Sequence, residues 1–97
     1  MPVELVRGTF EPRVGETFTA TPSLGGEQLE MTLSSLEESP YARPGHPAFS
    51  LLFHASGTGH LPQQIFTLEH EELGELSLFL VPLGPDGDRM RYEAVIS

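Results

Sequence analysis

The amino-acid sequence predicts an all-β protein, a single small antiparallel barrel or sandwich of about six strands with a short N-terminal helical turn. Its last third reads as consecutive strands separated by the turn sequences EELG and PDGD, which is a β-meander. Glycine and proline supply 10 and 9 of the 97 residues, a content that suits short strands joined by tight turns. A chain of this length is expected to form one β domain over residues 1–97. Periodicity does not separate a barrel from a sandwich, and we favour the barrel.

The first predicted element is a helical turn over residues 9–15. Thr9 is the predicted cap, Pro12 is tolerated in a first turn, and Gly15 supplies the terminating residue. We interpret this segment as a short helix-like lid on the strands.

Two alternating strands follow and form a predicted hairpin. Residues 16–21 alternate apolar and threonine positions, and Pro22 with the Leu-Gly-Gly turn after it ends this strand. The second strand covers residues 27–36, and its alternation specifies the register of the pair. The inward-facing residues of the hairpin are Phe18, Ala20, Leu29, Met31 and Leu33.

The middle of the chain contains two loops and two strands. Residues 37–48 contain three prolines and a glycine, which cannot support a ladder of backbone hydrogen bonds, so we predict a loop. Residues 49–55 return to alternation, and a second glycine-bearing loop then leads to a fourth strand at residues 65–70. The inward-facing residues of the third strand are Phe49, Leu51 and Phe53.

The fifth strand, residues 75–81, is apolar on both faces, with three leucines on one side and Phe79 and Val81 on the other. Such a strand needs cover on both sides, either from the N-terminal turn or from another protein chain, and we favour cover within the chain. The residues expected to supply it are Val3, Leu5, Val6 and Phe10. The closing strand, residues 89–96, has on one side Met90, Tyr92, Ala94 and Ile96.

Composition excludes several classes of function. Fourteen acidic and five basic side chains give a net charge of −9, so the surface repels nucleic-acid phosphates and anionic membranes. The absence of cysteine removes disulfides, thiolate metal sites and a cysteine nucleophile. No stretch approaches the ~20 apolar residues of a membrane span, and no signal peptide is recognisable. We therefore expect no nucleic-acid partner, no membrane insertion, and cytoplasmic synthesis that still permits incorporation into an extracellular or tail-like assembly.

Candidate chemistry is sparse, and we predict no catalytic, cofactor-binding or metal-binding residues. The turn at residues 84–88 carries two carboxylates, but arginines follow where a calcium loop needs oxygen ligands, so a tight hairpin turn is favoured. In such a turn Asp86 is expected to accept a hydrogen bond from the backbone and Gly87 to adopt a positive φ. Glutamates crowd the turn between strands four and five, where solvent leaves their carboxylates without a catalytic cleft. The serines near His54 in sequence lack an orienting acid, so a hydrolase triad is not supported.

The histidines are the remaining candidates for chemistry, and their spacing is not that of a metal-binding pair on a helix. In a barrel, three of them with a nearby glutamate are the metal-site alternative, and an enzyme, if there is one, depends on the same residues. The three are His54, His60 and His70, and the fourth histidine is His46.

Four stretches carry a resemblance to a known family. They are FEPRVGETF near the start, FSLLFHASG and LPQQIFTLEHEELGE in the middle, and LSLFLVPLGPDGDRMRYEAVIS at the end, and the most specific part is residues 78–95. Together they resemble a family of small bacterial domains of unknown function. Its members are sometimes encoded near phage-tail-collar-like proteins, so the resemblance implies a role in a tail-derived or surface assembly and implies no catalytic residue.

These observations favour a non-enzymatic structural or protein-interaction module that self-associates or binds a protein partner. Its binding surface is either the apolar face of the fifth strand or the closing strand acting as an adhesive edge. The arginines and the tyrosine of the closing strand are counted as candidate interface residues because both residue types are enriched at interface hot spots. The candidate interface residues are Phe79, Val81, Arg89, Arg91 and Tyr92. The alternative is a small β-barrel that binds an apolar or metal-assisted ligand in its interior.

Overall fold

The computed structural model describes residues 6–39, 48–56 and 61–96 and consists mainly of strands. Its elements are helix α1 (Arg7–Phe10), a 3₁₀ turn (Glu11–Arg13), and strands β1 (Thr17–Pro22), β2 (Leu29–Glu38), β3 (Phe49–Ser56), β4 (Gln64–His70), β5 (Gly74–Asp86) and β6 (Arg89–Ile96). The six strands form a closed antiparallel barrel in the order β1-β2-β3-β6-β5-β4. The predicted fold class is confirmed, and the barrel is the form that the chain adopts.

The core lies inside the barrel and is built from alternate residues of every strand, as the period-two patterns predict. In β3, for example, Phe49, Leu51 and Phe53 are buried while the residues between them are half-buried. A slip of one residue in any pairing would move a whole set of apolar side chains into water, so the register is strongly specified. The largest fully buried side chains are Phe10, Phe18, Met31, Leu33, Phe49, Leu51, Phe53, Phe66, Leu68, Leu80 and Tyr92.

The N-terminal helical segment is confirmed, but its predicted cap is wrong. The residue before α1 is Val6, whose backbone is extended, and Thr9 lies inside the helix. The helix begins early because Arg7 holds both Glu11, four residues later, and Glu38 of β2, each at 2.9 Å. The end is as predicted, since Gly15 has a φ of 96° and donates its N–H to a carbonyl of β2 at 2.7 Å.

Two strands are longer than the sequence predicts. β2 continues through Glu38, because that residue pairs with Phe49 and extends the ladder with β3 into the predicted loop. Residues 40–47 of that loop lie outside the described residues. β5 continues past Val81 to Asp86, and a register shift between Pro82 and Gly84 accommodates its two prolines.

Closure of the barrel overturns one of the two predicted binding modes. β6 pairs with β3 along its whole length and with β5 on its other side. A strand that is paired on both sides has no free row of backbone donors and acceptors to offer a partner. The expectation that β6 acts as an adhesive edge is therefore wrong.

Candidate functional site

The outer wall of β4, β5 and β6 carries exposed apolar side chains. Ile65 and Phe79 are partners in the β4–β5 ladder and are 51% and 50% exposed. Val95 of β6 is 64% exposed. The β5–β6 ladder ends at the pair Val81 and Glu93, and Val95 lies two residues beyond that pair on the same outer face of β6. We call Ile65, Phe79, Val81 and Val95 the apolar patch.

Phe10, one of the residues expected to cover this patch, lies elsewhere in the structure. Phe10 is buried in the core instead, with its ring centroid 6.2 Å from that of Phe49. Val6 is exposed, and the other two residues expected to provide cover, Val3 and Leu5, lie outside the described residues. Half of the Phe79 side chain remains exposed, so the predicted cover of this face by Phe10 is wrong, and the cover expected from Val3 and Leu5 stays a prediction.

The remaining candidate interface residues differ in accessibility. Arg89 is exposed, and Arg91 is half-buried with its Nε donating to the carbonyl of Gly84 at 3.4 Å. Tyr92 is fully buried, since its hydroxyl accepts the N–H of Leu61 at 3.2 Å and its ring packs inside the barrel. Tyr92 is therefore a core residue and is not accessible as an interface contact in this fold.

Two glutamates face each other on the same outer wall as the apolar patch. Glu69 and Glu75 are partners in the β4–β5 ladder, and both are exposed. Thr67 and Ser77 separate them from the apolar pair. Like charges directly opposite one another destabilise a sheet, so this wall combines an apolar end with an electrostatically unfavourable acidic end.

His70 stabilises the turn between β4 and β5. Its Nδ1 accepts the backbone N–H groups of Glu72 and Leu73 at 3.0 and 3.3 Å, and its Nε2 lies 2.6 Å from a carboxylate oxygen of Glu16. The ring also packs on Phe18, with centroids 4.7 Å apart. An Nδ1 that accepts hydrogen bonds leaves the ring proton on Nε2, which donates it to Glu16.

Three side chains at this turn are spaced as metal ligands could be, because one donor atom from each of Glu16, His70 and Glu72 lies within 4.8 Å of the others. A metal requires a free nitrogen lone pair, however, and in His70 the Nδ1 lone pair already accepts backbone N–H groups while Nε2 carries a proton. The arrangement therefore describes a structural histidine, and we assign it no metal.

His54 stands in a different environment, on the outer face of β3. Its Nδ1 is hydrogen bonded to Ser34 Oγ of β2, and its Nε2 lies 3.0 Å from Asp86 Oδ2 at the end of β5. The three side chains form a row of hydrogen-bonded groups, serine, histidine and aspartate, that joins β2, β3 and β5. The serine and the acid come from strands distant in sequence, so neither was among the candidates predicted near His54.

A small open groove of about 120 Å³ lies beside this row on the outer wall. Its apolar lining comes from Leu52 and Leu83, and its charged lining includes Arg91. Ser34, His54 and Asp86 do not line the groove, which adjoins His54 through Leu52, two residues away on the same face of β3. The remaining lining residues are Ser35, Glu37, Ser50 and Glu93.

The predicted convergence of histidines does not occur for the two that the structure describes. His70 lies among the inward-facing residues of β4, whereas His54 lies on the outer face of β3 with Ser34 and Asp86 as partners. The two rings therefore do not share a site. His46 and His60 lie outside the described residues.

The chain belongs to the family described as Domain of unknown function (DUF6916), whose profile matches residues 5–96. This match confirms the resemblance to a small uncharacterised domain family. No curated protein and no solved structure shows a significant match to the chain. In the described segments, no helix has the length and apolar character needed to cross a bilayer.

Proposed function

We propose that the protein is a non-enzymatic structural or protein-interaction module that binds a protein partner through the apolar patch. The observation that supports this proposal is the adjacent pair Ile65 and Phe79, half exposed on the outside of a closed barrel. Side chains fixed on a sheet lose little entropy on binding, and large apolar side chains that remain in contact with water mark interaction surfaces.

Charge selects the kind of partner. The chain carries a net charge of −9, and Glu69 and Glu75 lie on the same wall as the patch. Two copies of the chain, each with this net charge, repel one another, whereas basic residues on a different protein would relieve the repulsion between the two glutamates. We therefore propose a partner with an apolar recess that accepts Phe79 and with lysine or arginine residues at one rim.

The family resemblance suggests where such a partner is found. Members of the family that the sequence resembles are sometimes encoded near phage-tail-collar-like proteins. By this resemblance, we propose that the protein is a subunit of a tail-derived or surface assembly. Such assemblies bury moderate patches on many small subunits, and a rigid barrel with one adhesive wall suits that role. Arg89 stays a candidate contact, exposed at the end of β6 opposite to Val95.

The alternative of a ligand inside the barrel receives less support. Phe18, Leu51, Phe53 and Leu78 are all buried and belong to one continuous apolar cluster. A barrel of this size has an interior just wide enough for side chains, and here aromatic and aliphatic groups from every strand occupy it.

The test is photocrosslinking from the patch. Benzoylphenylalanine in place of Phe79 keeps an aromatic anchor, and the protein is expressed and irradiated in its native cell. We expect one discrete adduct, which disappears when Ile65→Glu is added and persists with Ile65→Val. The same crosslinker at Glu30, an exposed position of β2, is the control and should give no such adduct.

Three results would contradict the proposal. The first is an adduct that Ile65→Glu leaves intact, and the second is the same adduct from position 30. The third is an adduct with the mass of two copies of the chain, which would replace the basic partner by self-association. Light scattering of the purified protein over a concentration series separates that case, because a heteromeric module stays monomeric by itself.

A further inference from the structure

We propose that Ser34 is an activated nucleophile, with His54 as its general base and Asp86 as the group that orients the imidazole. The proposal rests on the hydrogen bonds from His54 Nδ1 to Ser34 Oγ and from His54 Nε2 to Asp86 Oδ2, the second at 3.0 Å. Serine, histidine and carboxylate in this order form the arrangement that activates a serine for acyl transfer, whatever the fold that carries it. It does not depend on the apolar patch, which involves none of these residues.

Asp86 determines the direction of the hydrogen bonds. An ionised carboxylate only accepts hydrogen bonds, so in the neutral ring the proton lies on Nε2 and is donated to Asp86. The Nδ1 lone pair then faces Ser34, whose hydroxyl donates to it in preference to the carbonyl of Thr32, which is the more distant acceptor at 3.4 Å. This is the polarity that a general base requires before it removes the proton from a hydroxyl.

The contrast with His70 shows that the arrangement around His54 is particular. Both rings carry the proton on Nε2 and donate it to a carboxylate. In His70, backbone N–H groups that cannot leave as protons occupy Nδ1, so that ring is structural. In His54 a hydroxyl occupies the same position, and a hydroxyl oxygen becomes a nucleophile when its proton is removed.

The local backbone presents Ser34 to this base. The register between β2 and β3 shifts between Leu33 and Ser35, so Ser34 is the extra residue of a β-bulge. Bulges re-aim a side chain and are frequent beside active sites. The His54 ring is only 14% exposed, so the wall of the barrel holds it in place while Ser34 stays half-buried at the surface.

The adjoining groove indicates the class of substrate. Leu52 and Leu83 offer an apolar surface, and Arg91, the partner of His54 in the β3–β6 ladder, offers a positive charge beside the carboxylates of Glu37 and Glu93. The open groove of about 120 Å³ accommodates a short acyl chain against the two leucines. The site therefore fits a carboxylic ester with a short apolar acyl group, whose carbonyl oxygen becomes negative during attack and is attracted by the guanidinium.

The reaction balances with water as the only co-reactant. Ser34 gives its proton to His54 Nδ1 as Oγ bonds to the carbonyl carbon, and the ester C–O bond breaks as the leaving alkoxide takes that proton. Water then gives a proton to Nδ1 and bonds to the acyl carbon. Ser34 Oγ leaves with the proton, and the free acid is released.

The test is labelling with a fluorophosphonate probe, followed by intact mass and peptide mapping, together with hydrolysis of p-nitrophenyl butyrate. We expect a single label on Ser34 that Ser34→Ala abolishes and that Ser77→Ala, at an exposed serine of β5 outside the groove, leaves unchanged. His54→Gln should slow labelling at least ~100-fold, the lower end of what a general base contributes. Asp86→Asn should slow it by about tenfold or more because the wrong tautomer becomes accessible.

Asp88→Asn, in the same turn as Asp86, is the matched control and should label at the wild-type rate. Circular dichroism and melting of each variant verify that the barrel is intact. Labelling of the folded wild-type protein no faster than that of Ser34→Ala would overturn the proposal, and so would a label on Ser34 that His54→Gln does not slow. Hydrolysis of p-nitrophenyl butyrate that Ser34→Ala abolishes is also expected, and that result would replace the non-enzymatic part of the proposed function, while binding through the apolar patch is tested separately by the crosslinking.

Discussion

At the scale of single residues, the neighbours of Nδ1 decide what each described histidine does. His70 accepts two backbone N–H groups of its turn and spans to Glu16 beyond the 3₁₀ turn, so it joins two parts of the chain that are far apart in sequence. His54 accepts a serine hydroxyl. Nothing in the sequence around the two residues distinguishes these roles, because the partners come from other strands.

Substitutions at His70 should separate its two contributions to stability. The side-chain oxygen of asparagine is the same number of bonds from Cα as Nδ1 of histidine. His70→Asn therefore keeps the hydrogen bonds to the backbone N–H groups of the turn but loses the bond to Glu16 and the contact with Phe18. His70→Ala loses all of them. We expect His70→Ala to lower the free energy of unfolding by about 2–4 kcal/mol, and His70→Asn by roughly half as much, in urea titrations.

Glu16→Gln is the control for this series. Its amide oxygen still accepts the Nε2 proton, so the expected cost is below about 1 kcal/mol. Equal destabilisation by His70→Asn and His70→Ala would show that the backbone hydrogen bonds of the turn contribute nothing.

At the scale of elements, the hairpin between β5 and β6 has the predicted turn glycine, but the Asp86 side chain has a different partner from the one predicted. Asp86 pairs with Arg89, so Gly87 and Asp88 form a two-residue connection. Gly87 has a φ of 66°, whereas Asp88 does not have a positive φ, because only glycines do among the described residues. A positive φ at the first turn residue alone matches a type II′ turn. The sequence predicted that Asp86 would accept from the backbone, but its carboxylate reaches His54 instead.

Substitution of Gly87 by alanine should destabilise the protein through backbone strain alone. A Cβ at this position meets no atom within 4 Å, but the left-handed conformation costs a residue with a side chain about 1–2 kcal/mol. The measurement is the urea midpoint.

Gly8→Ala in α1 is the matched control for Gly87→Ala. It also meets open space, and Gly8 has no positive φ, so the same change should stabilise by about 0.5–1 kcal/mol. Two changes of the same sign would refute the assignment of strain to the turn.

At the scale of the whole molecule, the charge of −9 surrounds a closed apolar core. Two of the ion pairs on the described surface share Arg7 and are exposed, so they contribute little attraction. The main effect of added salt is therefore to screen the repulsion among the excess carboxylates. We expect the melting temperature to rise by several degrees between about 0.05 and 0.5 M NaCl, which corresponds to about 1 kcal/mol for a protein of this size.

Glu69→Gln tests the contribution of the opposed glutamates to this salt effect. It should raise the low-salt stability by a few tenths of a kcal/mol and flatten the salt dependence, because like charges directly opposite each other contribute about that much. Glu30→Gln is the control, since the partner of Glu30 in β1 is Thr19. A melting temperature that falls with salt would show that attractive pairs outweigh the repulsion.

The sequence by itself determined the strands, the inward faces and the fold class, since alternation along a strand is a local property that burial of one face enforces. Residues such as Phe18, Met31 and Phe53 are placed correctly by counting alone. Local turn chemistry likewise predicted Gly87.

Only the tertiary structure decided how the strands close and which side chains meet. Closure paired β6 on both sides and removed a predicted edge, while the lengths of β2 and β5 depended on partners distant in sequence. The meeting of Ser34, His54 and Asp86 depends on a bulge in one ladder and on neighbours across two others. Such contacts are set by register between distant segments, and a period along one strand carries no information about the strand beside it.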